Sequence, residues 1–309
     1  MMDASLTLSA PSVDEEIVAL FDICSNTGRW GANDELGTLN LIDDDTRARA
    51  ARLIQTGKSI SIGRDLRPGP SPVAVSPVTH DMFLQRPDPT ASLDRVSVAC
   101  HDPLITHLDA LCHVFWEGKA YNGRSVEEVL TTNGLNFGSI HALRGGIFTR
   151  GVLLDIAAAR GVDYLSADAF VTIDDLAAAE ARQGVTVGKG DALFVYVGRE
   201  RRVAAAGDPI EQLARAGLHH QSVEWLHERD IAVYSGDCTE RLPYPSNRVP
   251  MPLHQVGLVA MGLCLLDNPS LTVLAEHCRQ WDRYEFAMTC SPAALVKGTG
   301  WAVNPLCLF

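Results

Sequence analysis

Positive charge is the scarcest resource of this 309-residue chain: 26 Lys and Arg stand against 38 Asp and Glu, a formal net charge of −12. A phosphate-binding surface needs clustered basic residues. Here they are scattered or sit beside acids, so no nucleic-acid partner is expected. Long apolar runs are also missing; none approaches the roughly 20 residues that span a bilayer, so no membrane partner is expected. Met1 to Pro11 lacks the basic start of a secretory signal. The eight cysteines form no Cys-x-x-Cys pair, which favours reduced, mostly buried thiols in a cytoplasmic protein over a disulfide framework. No internal repeat, low-complexity tract or linker interrupts the chain.

What is present is a hydrophobic fraction of 46% with 21% charged residues, enough for a substantial buried core. Val13, Ile17, Val18, Leu20 and Phe21 recur at helical spacing behind Ser12, a good N-cap followed by acids. Asp43 to Gln55 reads as a second helix, giving an N-terminal helical segment over 12–55. Residues 58–66 and 93–100 alternate as half-buried strands do. Between them, Pro68, Pro70, Pro72, Pro77, Pro87 and Pro89 exclude a continuous helix or central strand, so 68–89 is expected to be a long ordered loop beside a site. Residues 146–156 and 191–198 read as buried strands, Asp174 to Gln183 and Leu218 to Arg229 as helices, Ile231 to Gly236 as a strand, and Val256 to Leu266 as a buried helix or strand. Strands and helices mix without a regular βαβ repeat. One compact α/β domain over 1–309 is expected.

The chemistry concentrates in Cys100 to His113. His107 and Asp109 are two residues apart, so on an extended segment both side chains point to one side. An imidazole and a carboxylate aimed at a common point suit Zn²⁺ or Mn²⁺. His113 joins them if a helix begins near Leu108 to Leu111, and an imidazole that is not a ligand can carry protons near neutral pH. Each histidine has a plainer reading as a hydrogen-bonded packing residue, and spacing alone leaves the choice open.

The run Thr106-His-Leu-Asp-Ala-Leu-Cys-His113-Val-Phe-Trp-Glu-Gly-Lys119, followed by Tyr121-Asn-Gly123, resembles the signature of the cyclase family of metal-dependent hydrolases, which includes bacterial kynurenine formamidase and isatin hydrolase. Trp30-Gly31, Gly37-Thr-Leu-Asn40, Arg150-Gly-Val-Leu-Leu-Asp155, His254-Gln255, Met261-Gly-Leu263 and Val303-Asn-Pro305 extend the likeness, matching the longer-chain branch. The resemblance implies a mixed β-sheet core of the swivelling β/β/α type and one or two divalent ions, Zn or Mn. Metal ligands are implied at His107, Asp109, His254 and Asp267, proton transfer at His113, and a substrate-lining role at Trp30; because a pocket for a planar amide is mostly apolar, Phe83 or Trp116 is expected to join it, Trp116 reading equally as a core residue. The resemblance further implies a small-molecule substrate and a homodimer or homotetramer.

Two departures stand out. The first histidine of the family motif falls on Pro103, which cannot bind a metal. His101, two residues earlier, either lines the substrate pocket or replaces that ligand through a chain that folds back. Asp267 stands where the family usually has Glu, one methylene longer, so its backbone must sit closer to an ion. The expected activity is metal-dependent hydrolysis of an amide, lactam or ester in a small aromatic metabolite. The alternatives are a cyclisation or dehydration at the same site, or a binding protein that has lost its metal.

Overall fold

A computed structural model describes residues 11–71, 73–74, 76–84, 86, 90–207 and 214–309. Its centre is a nine-stranded mixed sheet in the order Ser59–Ser61, Leu306–Leu308, Glu285–Cys290, Ile147–Asp155, Ala192–Tyr196, Val233–Gly236, Cys264–Asp267, His107–Asp109 and Gly300–Ala302. The four strands from Ile147–Asp155 to Cys264–Asp267 run parallel; the strands on either side of that block pair antiparallel. Ala192–Tyr196 and Val233–Gly236 are buried at every position, as strands covered on both faces must be, and their Val, Leu, Phe and Tyr residues supply that surface. Parallel neighbours need long crossovers. Helices Ile173–Gln183, Arg199–Ala206 and Gln221–Glu228 lie in two of them, and the third carries Pro252–His254 and a π-helical stretch, Gln255–Met261.

Local signals explain the helix ends. Ser12 caps Val13–Ile23 with a full capping box to Glu15, and Thr172 does the same for Ile173–Gln183 with Asp175. The second helix is shorter than its sequence pattern, Asp44–Ala51 rather than 43–55, because only Thr46 and Ala50 are buried on it and no apolar face carries it further.

The proline-rich segment requires a correction. Thr79–Leu84 pairs antiparallel with Ser92–Ser97 as a separate hairpin, exposed at all of these positions. Pro77 bounds the first strand instead of interrupting it, so the stretch beyond it can pair. The 93–100 segment is accordingly an exposed hairpin strand, not a half-buried one, because its partner is this hairpin and not the main sheet. Pro72, Pro87 and Pro89 lie outside the described residues. The eight cysteines are all free and seven of them are buried. No helix among the described residues is long and apolar enough to cross a membrane.

Candidate metal centre

The parallel block meets the antiparallel strands at Asp267, the last residue of its strand. The carboxyl ends of strands at such a switch are where open α/β sheets place ligands. His107 lies directly opposite Asp267 in the antiparallel register, and Gly300 lies opposite Asp109. Directly opposed residues share a face, so His107, Asp109 and Asp267 project to one side while Leu108 is fully buried between the two donors. Thr106 locks the register: its hydroxyl donates to the Asn268 carbonyl (2.9 Å) and accepts from the Arg64 amide (2.9 Å).

His107 uses Nδ1 on the Ile105 carbonyl (2.8 Å), which fixes the tautomer and leaves Nε2 facing Asp109 Oδ1 at 3.4 Å. His254 is gripped by Glu240, whose carboxylate accepts from Nδ1 (2.8 Å) and from the His254 amide (3.1 Å). Its Nε2 stands 3.0 Å from Asp267 Oδ2 and 3.9 Å from Asp109 Oδ2. The shorter Asp267 side chain thus reaches the cluster because its strand pairs directly with that of His107.

His113 arrives by a different route from the one the spacing predicts. No helix follows Asp109; the chain turns, with the His113 amide on the Ala110 carbonyl (2.9 Å) and the Cys112 amide on the Gly138 carbonyl (3.2 Å). A Cβ at Gly138 would meet Cys112 Sγ at 2.6 Å; glycine therefore permits this close turn. It brings the His113 ring onto that of His101, parallel at 3.5 Å between centroids. His101 Nδ1 is 2.9 Å from Asp109 Oδ1. His101, Asp109 and His113 form one group of adjacent metal-capable donors, and His107, Asp109 and Asp267 form another.

The electrostatics follow from burial and close pairing. Burial alone would push the Asp109 carboxyl up, but the surrounding histidines win and hold it well below the usual carboxylate range. Asp267 is likewise lowered, burial being outweighed by His254. Burial disfavours the charged form of His254, yet Glu240 and Asp267 raise it well above the ordinary histidine value. His113 goes the other way, to about 4, through burial first, with Asp109 opposing and the neighbouring histidines assisting. Asp109 Oδ1 has the His101 and His107 nitrogens beside it, while Asp109 Oδ2 and Asp267 Oδ1 are buried without a hydrogen-bond partner. Buried carboxylate oxygens left this way are costly. A divalent cation is the partner that mixed imidazole and carboxylate donors suit, so the residues present fit one.

Trp30 lies in the turn-rich loop after the first helix. It is half-buried against the core under the Arg29 guanidinium, 4.8 Å from its centroid. Asn122 pins its loop through the Gly28 amide (2.8 Å) and the Gly31 carbonyl (2.9 Å), so two stretches of the family likeness meet. Trp116 stacks on Phe21 at 4.8 Å, and Phe83 sits on the exposed hairpin. A cavity of about 490 Å³ is lined by Arg64, Asp102, Ile105, Glu200 and Ser270 among others, and none of the donors lines it. Sequence reasoning missed Glu240, Thr299 and Gly300, which belong to no recognisable spacing.

A family model, Cyclase, described as "Putative cyclase", matches residues 42–240, more than half of the chain; the match includes His101 to His113 and stops short of His254 and Asp267. A crystal structure described as a novel cyclase is similar at 26% identity, covering 92% of this chain and 99% of that one with a TM-score of 0.82. Isatin hydrolase A from Labrenzia aggregata, bound to benzyl benzoate, is similar at 16% identity over 81% of this chain and 92% of its own, TM-score 0.58. A structure titled "Potential Metal-Dependent Hydrolase With Cyclase Activity" is similar at 13% identity over 81% and 96%, TM-score 0.50. Among curated proteins there is no match.

Proposed function

This chain belongs to the Cyclase family, and from that footing we propose that it is a metal-dependent hydrolase acting on an amide, lactam or ester bond of a small aromatic metabolite. The observation that carries the metal is the set of unpartnered buried oxygens on Asp109 and Asp267 among histidines. His107, Asp109, His254 and Asp267 hold the ion in this reading. A divalent cation there supplies Lewis acidity, polarising a carbonyl and acidifying water. The hydrolase names among the structural neighbours favour hydrolysis.

His113 is the proton carrier. Its ring, pushed down to about 4, is neutral at physiological pH. A neutral ring nitrogen can accept a proton as the carbonyl is attacked and return it to the leaving nitrogen or oxygen. Trp30 offers an aromatic surface to the substrate. We extend the proposal to a cytoplasmic homodimer or homotetramer, which light scattering would check.

A full-length preparation made without chelator is expected to contain zinc or manganese and to hydrolyse N-formyl aryl amines, cyclic imides or lactones. His107→Ala and Asp109→Ala should lose the metal, while His113→Asn should keep it and lose roughly 10²-fold or more in turnover. Wild-type protein that binds no divalent metal would sink the reading. The description of one neighbour as a cyclase favours a second reaction, cyclisation or dehydration, with His113 removing a proton beside a carbonyl. Solvent ¹⁸O appearing in an acid product separates hydrolysis from that alternative.

A further inference from the structure

We infer that His101 supplies, through Nδ1, the ligand that Pro103 cannot. The inference rests on the metal reading above and adds His101 to it through Asp109, the residue shared by the two donor groups. Three observations carry it.

The first is how the chain reaches the site. Between Ala99 and Ile105 it coils: the Asp102 amide bonds the Ala99 carbonyl (3.1 Å), the Ile105 amide bonds the Asp102 carbonyl (3.0 Å), and the Leu104 amide bonds Asp102 Oδ1 (2.9 Å). A residue six positions before His107 is thereby folded back beside Asp109, a place that an extended chain would have carried it past.

The second is the state of the two ring nitrogens. Nε2 lies 3.1 Å from the Thr299 hydroxyl oxygen. Nδ1 lies 2.9 Å from Asp109 Oδ1, a close contact of imidazole and carboxylate that falls outside hydrogen-bond geometry. When Nε2–H donates to Thr299, Nδ1 presents a lone pair to a carboxylate oxygen. A cation lying against both would satisfy that arrangement. The pattern is that of metal-bound histidines, whose second nitrogen is held by a protein oxygen.

The third is the space made for the ring. A Cβ at Gly300, opposite Asp109 in the register, would stand 2.5 Å from His101 Cε1. Glycine at this strand position is what lets the imidazole lie there. The His101 and His107 rings are then perpendicular, 5.1 Å between centroids, so both imidazoles flank one carboxylate.

The test uses the full chain, stripped by chelator and titrated with Zn²⁺ by calorimetry and with Co²⁺ by visible absorption. His101→Ala is expected to weaken Zn²⁺ binding by more than the roughly 10–100-fold that loss of an outer partner costs, to alter the Co²⁺ spectrum, and to recover that spectrum on addition of imidazole. Thr299→Val, which keeps the ligand and removes its holder, should weaken binding about tenfold with unchanged circular dichroism. Wild-type affinity and spectrum in His101→Ala would overturn the inference while leaving the metal reading intact. If that variant does not fold, Thr299→Val decides, and wild-type affinity there overturns the inference. Absence of metal binding in the wild type would overturn both.

Discussion

At the scale of single residues, the candidate site was legible where one element carried several donors. His107 and Asp109 could be paired from their spacing, because alternation along a strand needs no tertiary information. Glu240 could not. It lies in an irregular segment after Val233–Gly236, and only the folded chain shows that it grips His254 at 2.8 Å. A carboxylate in that position orients the imidazole and raises its basicity. Glu240→Gln is therefore expected to fold and to weaken zinc affinity by about 10–100-fold, read by competition against a chromophoric chelator. The same pairing predicts a pH effect. Glu240 and Asp267 hold His254 protonated well above its ordinary range, and a protonated Nε2 cannot donate to a metal. Metal uptake should release a proton and weaken as pH falls. Calorimetry in buffers of different ionisation enthalpy would measure that release, and affinity that does not change between pH 6 and 8 would contradict it.

At the scale of elements, capped helices and buried strands matched their sequence signals because each signal is local: Ser12 and Thr172 sit where their side chains reach the third helical amide. What local signals leave open is decided by partners. The Val256 to Leu266 run was apolar enough for helix or strand, and it is both, a π-helical stretch ending at Met261 and a strand from Cys264. Gly262 makes the break. It has φ +62°, and a Cβ there would lie 2.3 Å from the Tyr121 ring; its carbonyl also accepts from the Thr38 amide (2.9 Å). Gly262→Ala should cost about 2–4 kcal/mol of stability, through φ strain and overpacking, measurable by denaturant unfolding. The turn at His113 teaches the same point, since its spacing suited a helix and tertiary bonds to Gly138 made a turn.

At the scale of the whole molecule, the net charge of −12 includes carboxylates that a cation would neutralise. Two of them, Asp109 and Asp267, are buried. A ligand that binds only the native state stabilises it by about 2.7 kcal/mol at a concentration a hundredfold above its Kd. Zinc or manganese should accordingly raise the unfolding temperature of chelator-treated protein, and chelator should reverse the gain. An unfolding temperature indifferent to both metals would argue that the cluster is held by ion pairs alone. Fold class was readable at this scale because mixed strands and helices without repeats allow few architectures, whereas the order of strands depends on pairings remote in sequence.

Those remote pairings also bear on how the protein is made. His107–Asp109 lies between Cys264–Asp267 and Gly300–Ala302, so the donors stay apart until nearly all of the chain is available. Contacts between such distant segments close large loops and tend to form late. On the metal reading, an ion would join donors brought together late and would not template an early nucleus. A nascent chain on the ribosome should capture no metal at this site until the strand at 264–267 has emerged.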